Sequence, residues 1–355
     1  MKITLLGEFS GFHTTLRDGL LALGHDATVV GAGDGTKAIP VDWNIGTARC
    51  GGAGTLARIA KAVHFAATAP DADVLQVINP HIFPLGWGLN ARLLRHLRRS
   101  APKMFLSGCG DDALFVQRGI GEMRYNPIDD ATTIDLGLAE HPLSTPDELA
   151  WNDEIADAVD GIIPVMREYE MGYAGRANLR PTIPLPVNTE KIAQLPNRSD
   201  GRLVVMHGAG RFGFKGTRHV LEAFRILEEK HPDRFEFMHV ANLPIAEYLQ
   251  VMARVNVIVD QTNSYSCGMN ALFAMAMGKV VLGGAEPESL SIYGGEQTPV
   301  LNILPDAASI VSQIEAVSEA QNRLSEMGDE ARAFVEKHHH YRRVAERYVE
   351  EWRRP

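Results

Sequence analysis

Short apolar segments rich in β-branched residues alternate with helical segments along the whole chain. Such alternation is typical of parallel sheets that helices cover on both faces. The pattern therefore predicts an α/β protein with two doubly wound, Rossmann-like domains. The predicted strands are residues 3–6, 27–30, 74–78, 104–107 and 161–164 in the first half, and segments near Leu203, Phe235, Val257 and Val280 in the second.

A proline-rich stretch, residues 180–201, separates the two halves. Prolines with polar neighbours are typical of a semi-rigid connector, which marks a domain boundary. The sequence thus predicts an N-terminal domain over 1–187, a linker over 188–200, a C-terminal domain over 201–337 and a terminal segment, 338–355, with a helix at about 341–352.

A glycine-rich loop, residues 208–217, follows the first strand of the second half. Gly210 and Gly213 let the backbone approach a ligand closely, and Arg211 and Lys215 add two cations before the next helix. Helix starts with unpaired N–H groups attract anions, so the loop predicts a phosphate site. A purely structural strand-to-helix turn is the alternative.

Two other phosphate motifs fit this loop less well. Gly208, Gly210 and Gly213 formally match the dinucleotide-binding pattern, but the next predicted strand, near Phe235, is not followed by the acidic residue that would hold a ribose. Lys215 precedes its neighbouring glycine, whereas the glycine precedes the lysine in a P-loop.

Residues 255–282 have the pattern of a buried strand, a polar loop, a small-residue helix and a second buried strand. A ligand at this loop would meet the N–H groups of a helix start, which suit an anion or sugar hydroxyls. The predicted donor-binding residues here are Ser266, Gly268, Met269 and Asn270.

Together these segments resemble the donor-binding domain of GT-B glycosyltransferases, in particular the retaining glycosyltransferase family 4. The resemblance covers most of the chain and is weakest between about residues 31 and 71. The residues that carry it are Arg211, Lys215 and Gly216, the stretches 268–276 and 278–281, and at the front residues 1–7, Gly11 and residues 20–26.

The resemblance implies two domains that face each other across a cleft, with the donor on the C-terminal side and the last helix packed back on the first domain. It implies transfer of a sugar from a nucleotide diphosphate sugar to a hydroxyl of a carbohydrate or lipid-linked acceptor, in polysaccharide or glycolipid biosynthesis. Arg211 and Lys215 would neutralise the leaving diphosphate, so neither a metal nor a further cofactor is needed. Retention at the sugar carbon is implied by the resemblance alone.

The chain departs from this family at its two signature glutamates, whose positions hold Tyr265 and Phe273. In the family these carboxylates contact the donor sugar and the ribose. Phe273 remains a candidate donor contact, and Glu286 or Glu288 is a candidate replacement carboxylate from the next strand end. The departure keeps two alternatives open: a non-catalytic GT-B protein that binds nucleotide sugars as a partner or scaffold, and a sugar-nucleotide epimerase of the same fold.

The N-terminal strand ends supply further candidates, because ligands of doubly wound sheets bind beyond the carboxyl ends of the strands. Gly7, Ser10 and Gly11 follow the first strand and are predicted to approach the donor. His13 is a candidate proton acceptor, or a polar residue that opens a helix. Asp111 is a candidate base or sugar ligand, although paired acids such as Asp111 and Asp112 also cap helices.

Composition and charge narrow the class of protein. The chain has 355 residues, enough for two domains, and a net charge of −9, which argues against a nucleic-acid partner. No apolar run is long enough to cross a bilayer and no leader precedes the first strand, so the protein is predicted to be cytoplasmic. The odd number of cysteines, three, suits a reducing compartment, and Cys267 is interpreted as a small buried residue rather than a nucleophile.

Residues 85–103 contain a helix with leucines on one side and several arginines. It is interpreted as a core-packed helix with a basic outer face, or alternatively as a peripheral contact with an anionic membrane surface. Oligomeric state is not predicted.

No metal site is predicted. Asp71 and Asp73 precede their strand rather than follow it, so they lie at the wrong end for a metal that binds a diphosphate. The adjacent residues His338, His339 and His340 point in different directions on a helix and are interpreted as a solvated helix start.

Overall fold

The computed structural model describes residues 1–46, 52–83 and 89–355. These residues form two compact units. Unit 1 comprises Met1–Gly121, Pro142–Pro186 and Tyr341–Pro355, and unit 2 comprises Glu122–His141 and Val187–His340. Each unit is built around its own parallel sheet.

In chain order, the strands of the described residues are β1 Lys2–Leu6, β2 Asp26–Gly31, β3 Trp43–Asn44, β4 Val74–Val77, β5 Lys103–Gly108, β6 Gly161–Pro164, β7 Leu203–Gly208, β8 Phe235–Val240, β9 Val257–Val259, β10 Val280–Gly283 and β11 Leu301–Asn302. Their α-helices are α1 Phe12–Ala22, α2 Gly52–Thr68, α3 Leu89–Leu97, α4 Ala113–Gln117, α5 Ile128–Asp130, α6 Pro146–Ala158, α7 Arg167–Gly172, α8 Thr217–Lys230, α9 Ile245–Met252, α10 Met269–Ala276, α11 Ala307–Glu319, α12 Leu324–His338 and α13 Tyr341–Arg353. A turn of π-helix, Ala131–Asp135, continues α5.

The sheet of unit 1 has the strand order β3-β2-β1-β4-β5-β6, with all neighbouring strands parallel. The order reverses direction between β1 and β4. Side chains such as those of Leu6, Val77 and Leu106 are buried in the core beneath the helices. Leu93, Leu94 and Leu97 of α3 join this core.

The sheet of unit 2 has the order β11-β10-β9-β7-β8, again with parallel neighbours. The order reverses between β7 and β9. Val205, Val259 and Leu282 are buried in its core together with apolar residues of α8 and α11. The predicted α/β class with two doubly wound parts is confirmed, since both orders are those of doubly wound sheets.

The C-terminal helix α13 belongs to unit 1. Its Trp352 indole N–H donates to the Gln76 side-chain oxygen at 2.9 Å, and the Lys103 ammonium donates to the Trp352 carbonyl at 2.7 Å. Gln76 and Lys103 lie on β4 and β5, so α13 is tied to the middle of the unit 1 sheet.

The units differ from the sequence-based division in two places. Residues 188–200, predicted to be a linker, group with unit 2, where Asn197 and Asn256 exchange hydrogen bonds and Arg332 donates to the carbonyl of Thr189. Residues 122–141, predicted to lie in the N-terminal domain, also group with unit 2. We call residues 122–141 the strap.

The sequence pattern missed the edge strands β3 and β11, which are two residues long each. Two residues cannot show the alternation or the apolar run by which a strand is predicted. The longer interior strands all lie where they were predicted.

Candidate functional site

The two loops that the sequence singled out in unit 2 lie side by side. One follows β7 and the other follows β9, and these strands flank the point where the strand order reverses. In doubly wound sheets the connections leave this point in opposite directions, which opens a crevice at the carboxyl ends of the strands. Thr262 N–H donates to the Lys215 carbonyl at 3.1 Å, which joins the two loops directly.

Lys215 and Asp260 form an ion pair between these loops. The Lys215 ammonium lies 2.6 Å from Asp260 Oδ1, and the Asp260 side chain is fully buried. The same carboxylate accepts hydrogen bonds from the Asn270 amide at 2.9 Å and from Gly268 N–H at 3.3 Å. Burial favours the neutral acid, but Lys215 and these donors lower the pKa of Asp260 below its usual value. Lys215 is therefore held in place by a buried carboxylate.

Arg211 has a different environment. It lies on the exposed part of the loop, and its guanidinium carbon is 3.9 Å from the centroid of the Phe214 ring. Stacking on an aromatic ring orients a guanidinium. Of the two predicted cations, Arg211 is thus the one presented at the surface.

The space beside most glycines of this loop is filled by other residues of the chain. A Cβ on Gly208 would meet the Tyr248 hydroxyl at 1.8 Å, one on Gly213 would meet the Asp130 carbonyl at 2.2 Å, and one on Gly216 would meet the Thr262 hydroxyl at 2.0 Å. At Gly210, by contrast, nothing lies within 4 Å. Close approach of a ligand to the backbone of this loop stays a prediction. Among these four glycines, Gly210 is the one beside which a ligand would have space.

The predicted donor-binding residues after β9 surround the start of α10. Gly268 precedes the helix, and Asn270 accepts a hydrogen bond from the Tyr248 hydroxyl at 2.6 Å while donating to Asp260. Ser266 and Met269 are buried, whereas Phe273 is half-buried. Cys267 is buried as well, as expected for a small packed residue.

Tyr265 occupies the position of the family's first glutamate and is 1% exposed. Its carbonyl accepts from Glu286 N–H at 2.9 Å, so the structure places Glu286 directly beside it. The Glu286 carboxylate accepts from the Tyr125 hydroxyl at 2.6 Å and from the Asn302 amide at 2.9 Å, and it pairs with the Arg124 guanidinium. A carboxylate thus lies near the Tyr265 position, but groups of the chain already bind it.

Two of those groups, Arg124 and Tyr125, belong to the strap and were missed by the sequence analysis. Arg124 N–H donates to the Tyr265 hydroxyl at 2.7 Å, and its guanidinium lies 4.8 Å from the centroid of the Tyr265 ring and pairs with Glu288. A sequence signal for this segment was available: about 50 residues separate the predicted strands 104–107 and 161–164, more than a single crossover helix needs.

The strap also contacts the loop after β7. Asp135 accepts hydrogen bonds from Gly213 N–H at 2.6 Å and from Phe214 N–H at 2.9 Å. Asp130 accepts from the Asn263 amide at 3.3 Å and pairs with Arg218 at 3.0 Å. The strap therefore contacts the three segments of unit 2 that were predicted to bind the donor: the β7 loop, the β9 loop and the Glu286 segment.

His207, at the end of β7, fixes the base of the loop and was not singled out from the sequence. Its Nδ1 lies 2.8 Å from the Val259 carbonyl, and its Nε2 lies 2.9 Å from the Thr217 hydroxyl. Burial lowers the pKa of His207 to about 4, so the ring is neutral at pH 7. The neutral ring donates to the carbonyl through Nδ1 and accepts from Thr217 through Nε2.

The loop after β1 in unit 1 contains the other predicted donor contacts. Glu8 is 3% exposed, and its carboxylate accepts from Gly11 N–H and Thr14 N–H at 2.7 Å and from the Thr14 hydroxyl at 2.6 Å. The Ser10 N–H donates to Asp34 at 2.8 Å. A Cβ on Gly7 would meet the Ile78 side chain at 2.1 Å. Carboxylates of the chain thus occupy the Ser10 and Gly11 amides, and Gly7 is packed inside the unit.

His13 is completely buried in unit 1. Its Nδ1 lies 2.8 Å from the Gly7 carbonyl, and its Nε2 has no hydrogen-bond partner among the described residues. Burial lowers the pKa of His13 to about 3. The side chain does not reach the surface, which favours the interpretation as a residue that opens α1 and holds the β1 loop.

Asp111 and Asp112 follow β5. Asp112 is buried, accepts from Phe115 N–H at 2.8 Å and from the Tyr173 hydroxyl at 2.8 Å, and caps α4. Burial raises the pKa of Asp112 to about 6. Asp111 is half-buried, and its carbonyl accepts from the Asn79 amide at 3.1 Å. Capping thus applies to Asp112, and a sugar-binding or basic role for Asp111 stays a prediction.

The segments considered for metals or membranes have other contacts. Asp73 accepts from Lys2 N–H at 2.7 Å beside the start of β4. The interpretation of residues 338–340 as a helix start is wrong: His338 ends α12 and pairs with Glu296, and His339 is buried. Among residues 1–46, 52–83 and 89–355, no helix is both long and apolar enough to span a bilayer. Residues 85–88 of the predicted basic helix, and Cys50, lie outside the described residues.

Neither a protein-family model nor a curated protein matches the chain in sequence. Solved structures are similar to it over its whole length. Anabaena HepE, in complex with UDP and glucose, has a TM-score of 0.62 at 15% identity and is matched over 99% of this chain and 98% of its own. A sucrose-phosphate synthase from Thermosynechococcus elongatus has a TM-score of 0.64 at 15% identity, with the same coverage.

A third similar structure is an alpha-glucosyltransferase in complex with UDP-glucose and DNA containing an abasic site. Its TM-score is 0.61 at 11% identity, and all of both chains is covered. At such identities the likeness concerns the fold, which is the GT-B fold of these glycosyltransferases.

Proposed function

We propose that this protein is a metal-independent glycosyltransferase that moves a sugar from a nucleotide diphosphate sugar to a hydroxyl group. The acceptor is a carbohydrate or a lipid-linked molecule, the product belongs to polysaccharide or glycolipid biosynthesis, and the configuration at the sugar carbon is retained. The GT-B fold supports this proposal, as do the UDP-glucose complexes of HepE and the alpha-glucosyltransferase.

The observation that carries the proposal is the position of Arg211. Arg211 is an exposed residue whose guanidinium stacks on Phe214 at the carboxyl end of β7, next to the point where the strand order reverses. Negative charge builds on the diphosphate as the sugar leaves, and an oriented cation stabilises that charge in the transition state. A guanidinium can donate two parallel hydrogen bonds to phosphate oxygens, so no further cation is required for this step.

Lys215 contributes in a second way. Because its charge is largely balanced by Asp260, its main effect is to hold the β7 and β9 loops at a fixed separation. The loops then present Arg211, Gly210 and the start of α10 to one ligand. This division of roles predicts that Arg211 affects binding alone, whereas Lys215 affects both binding and folding stability.

The test is a panel of nucleotide sugars that includes UDP-glucose, with thermal stabilisation and nucleotide diphosphate release measured in the presence and absence of EDTA. A donor should stabilise the wild-type protein by mass action. Arg211→Ala should lose this stabilisation while its own unfolding midpoint without ligand stays close to that of the wild type. Arg211→Lys, which keeps the charge but not the paired N–H groups, should be intermediate.

Loss of donor binding in Lys215→Ala is weaker evidence, because this variant leaves the buried Asp260 unpaired. Loss of one partner of a fully buried pair costs about 3–5 kcal/mol, and the partial exposure of Lys215 reduces that figure. If no nucleotide sugar stabilises the wild type, the proposal fails. Release that stops with EDTA contradicts metal independence, and NMR of the product's anomeric proton decides retention.

A second candidate is favoured by the environment of Tyr265 and Glu286. The first signature carboxylate is replaced by a buried tyrosine, and the neighbouring Glu286 carboxylate is bound by Arg124, Tyr125 and Asn302. These contacts suit a non-catalytic protein that binds nucleotide sugars as a partner or scaffold. Donor-specific stabilisation without diphosphate release, with carbohydrate and lipid-linked acceptors supplied, would favour this candidate.

We extend the proposal to the location of the protein, which we place in the cytoplasm with peripheral contact to an anionic membrane. Arg92 and Arg95 on α3, and Arg99 two residues after the end of that helix, are exposed, whereas the leucines of α3 enter the unit 1 core. Sedimentation with vesicles that contain anionic lipid, compared between the wild type and an Arg92→Ala, Arg99→Ala double variant, tests this contact.

A further inference from the structure

The strap crosses the three predicted donor-binding segments of unit 2 and is attached to each of them by polar contacts. Arg124 and Tyr125 bind Glu286, Asp130 binds Asn263, and Asp135 binds the loop after β7. A segment that served only as a connection would have no need of a charged contact to every one of these segments.

The Asp135 contact has the geometry of a bound anion. Its two carboxylate oxygens accept one hydrogen bond each, from Gly213 N–H at 2.6 Å and from Phe214 N–H at 2.9 Å. Successive backbone N–H groups that point to one side form a concave site for anions such as phosphate. Asp135 is 78 residues from Gly213 in sequence and is half-buried, so this anion comes from a distant part of the chain.

The glycine at position 213 is required by the strap. A Cβ there would lie 2.2 Å from the Asp130 carbonyl oxygen and 2.6 Å from its carbon, distances that no side chain tolerates. Backbone cannot move aside as the end of a flexible side chain can. The loop and the strap are therefore shaped for contact with each other.

A diphosphate and Asp135 cannot share this place. Both need the same two N–H groups, and a carboxylate within a few ångströms of a phosphate repels it. The nearby charges Arg211 and Arg218 favour either anion, and Arg218 already pairs with Asp130 of the strap. Binding of one anion therefore excludes the other.

We propose that the Gly213 and Phe214 amides form a diphosphate-binding site that Asp135 occupies in the unliganded protein, so that the strap competes with the donor and must release Asp135 before the donor binds. This inference rests on the proposed function for the identity of the donor. It does not rest on it for the anion site, because the site and its internal occupant follow from contacts within unit 2.

The test uses the full chain and inorganic pyrophosphate as the probe, with affinity measured by titration calorimetry. Asp135→Asn removes the charge and should bind pyrophosphate at least about tenfold more tightly than the wild type, a change of about 1.4 kcal/mol in binding free energy. Asp129→Asn is the matched control: it lies in the same segment, is exposed and changes the net charge equally. It should bind like the wild type.

A gain in Asp135→Asn no larger than that in Asp129→Asn overturns the inference, and so does absence of binding in all three proteins. A general effect of net charge would appear in both variants. Asp135→Glu keeps the carboxylate and should bind pyrophosphate as weakly as the wild type does.

Hydrogen exchange of the wild-type protein tests the release without any substitution. The Leu136 and Leu138 amides donate to the Ala131 and Thr132 carbonyls at 3.0 Å within the strap. Saturating pyrophosphate should speed their exchange if the strap is displaced, and unchanged or slower exchange contradicts displacement.

The same variants, tested with UDP-glucose and the other nucleotide sugars, separate the two proposals. A gain for pyrophosphate without binding of any nucleotide sugar would support the strap as a competitor and reject the glycosyltransferase proposal. Equal sugar-nucleotide binding and turnover in the wild type and Asp135→Asn, with no gain for pyrophosphate, would support the glycosyltransferase proposal and reject the strap as a competitor.

Discussion

The loops after β1 and after β7 occupy the same place in their respective sheets, yet the carboxylates that bind their backbone amides differ in origin. In unit 1, Glu8 accepts from Gly11 N–H only three residues away, and its side chain is 3% exposed. In unit 2, Asp135 reaches the Gly213 and Phe214 amides from a separate segment and is half-buried.

This difference distinguishes a permanent cap from an occupant that can leave. Glu8 cannot move away from α1 without unfolding the turn to which it belongs, so its contacts are part of the fold. Asp135 lies on a separate segment, the strap, and is proposed to leave the loop when the donor binds. Identical hydrogen-bond chemistry therefore has a structural role in one unit and is proposed to have a regulatory role in the other.

The largest expected effect comes from removal of the permanent cap. Glu8→Ala leaves the amides of Gly11 and Thr14 and the Thr14 hydroxyl without their acceptor, and these groups are partly buried. We expect a loss of about 2–4 kcal/mol in the free energy of unfolding. Urea unfolding followed by tryptophan fluorescence measures it, since the described tryptophans, Trp43, Trp151 and Trp352, all belong to unit 1.

Asp71→Ala is the matched control for Glu8→Ala, because it removes an exposed carboxylate from the same unit. It should change the free energy of unfolding by no more than about 0.5 kcal/mol. Equal losses in both variants would mean that the Glu8 contacts contribute little, and the distinction between the two carboxylates would fail.

A smaller effect is expected where the strap meets the β7 loop. Gly213→Ala forces the Asp130 carbonyl away and should destabilise unit 2 by about 1–3 kcal/mol, the usual cost of overpacking. Because unit 2 contains no tryptophan in the sequence, far-UV circular dichroism should detect this change while tryptophan fluorescence follows unit 1. Exchange at the Leu136 and Leu138 amides should become faster.

Gly210→Ala is the stability control in the same loop, since no atom lies within 4 Å of the added Cβ. It should leave the unfolding transition within about 0.5 kcal/mol of the wild type. A loss of the same size in both variants would indicate that this loop tolerates no side chain anywhere, which contradicts a specific need for Gly213 beside the strap.

The sequence predicted the interior strands and the two loops of unit 2 because these features are local. A buried parallel strand is a short apolar run, and a glycine loop before a helix is visible in ten residues. The pairing of Lys215 with Asp260, and of Gly213 with Asp135, depends on which strands become neighbours. No local pattern contains that information.

The strap was assigned to the wrong neighbours for a related reason. Its residues precede β6, so chain order suggested the first domain, whereas its side chains contact loops that come about 80 to 160 residues later. Ile134, Leu136 and Leu138 are also exposed, which a pattern based on buried apolar residues does not anticipate. Glycines were interpreted as room for a ligand, while at Gly208, Gly213 and Gly216 the space is filled by the chain.

Per unit of pH, the smallest change in the free energy of unfolding is expected from the two buried histidines, His13 and His207, one at each loop. The pKa of His13 is lowered to about 3 and that of His207 to about 4, whereas an unfolded histidine titrates near 6.5. Between pH 6.5 and pH 4 the unfolded chain binds protons that the folded protein does not, so stability that is fully present above pH 6.5 is lost as the pH falls. Each histidine should lower the free energy of unfolding by up to about 1.4 kcal/mol per pH unit in this range.

Substitution of one histidine at a time distinguishes the contributions of the two loops to the pH dependence of stability. His13→Gln should flatten the pH dependence recorded by tryptophan fluorescence, and His207→Gln should flatten that part of the circular dichroism transition that fluorescence does not follow. The same substitution at exposed His96 is the control. Burial of the ring, rather than its hydrogen bonds, lowers the pKa of each histidine. His207 has two hydrogen-bond partners and His13 has one on the described chain, yet both rings are neutral. Because each histidine contributes separately, both substitutions are needed. A slope that survives both substitutions would place the acid sensitivity in carboxylates whose pKa is lowered in the folded protein. Asp260, whose pKa is lowered by Lys215 and its hydrogen-bond donors, would then be the first group to examine.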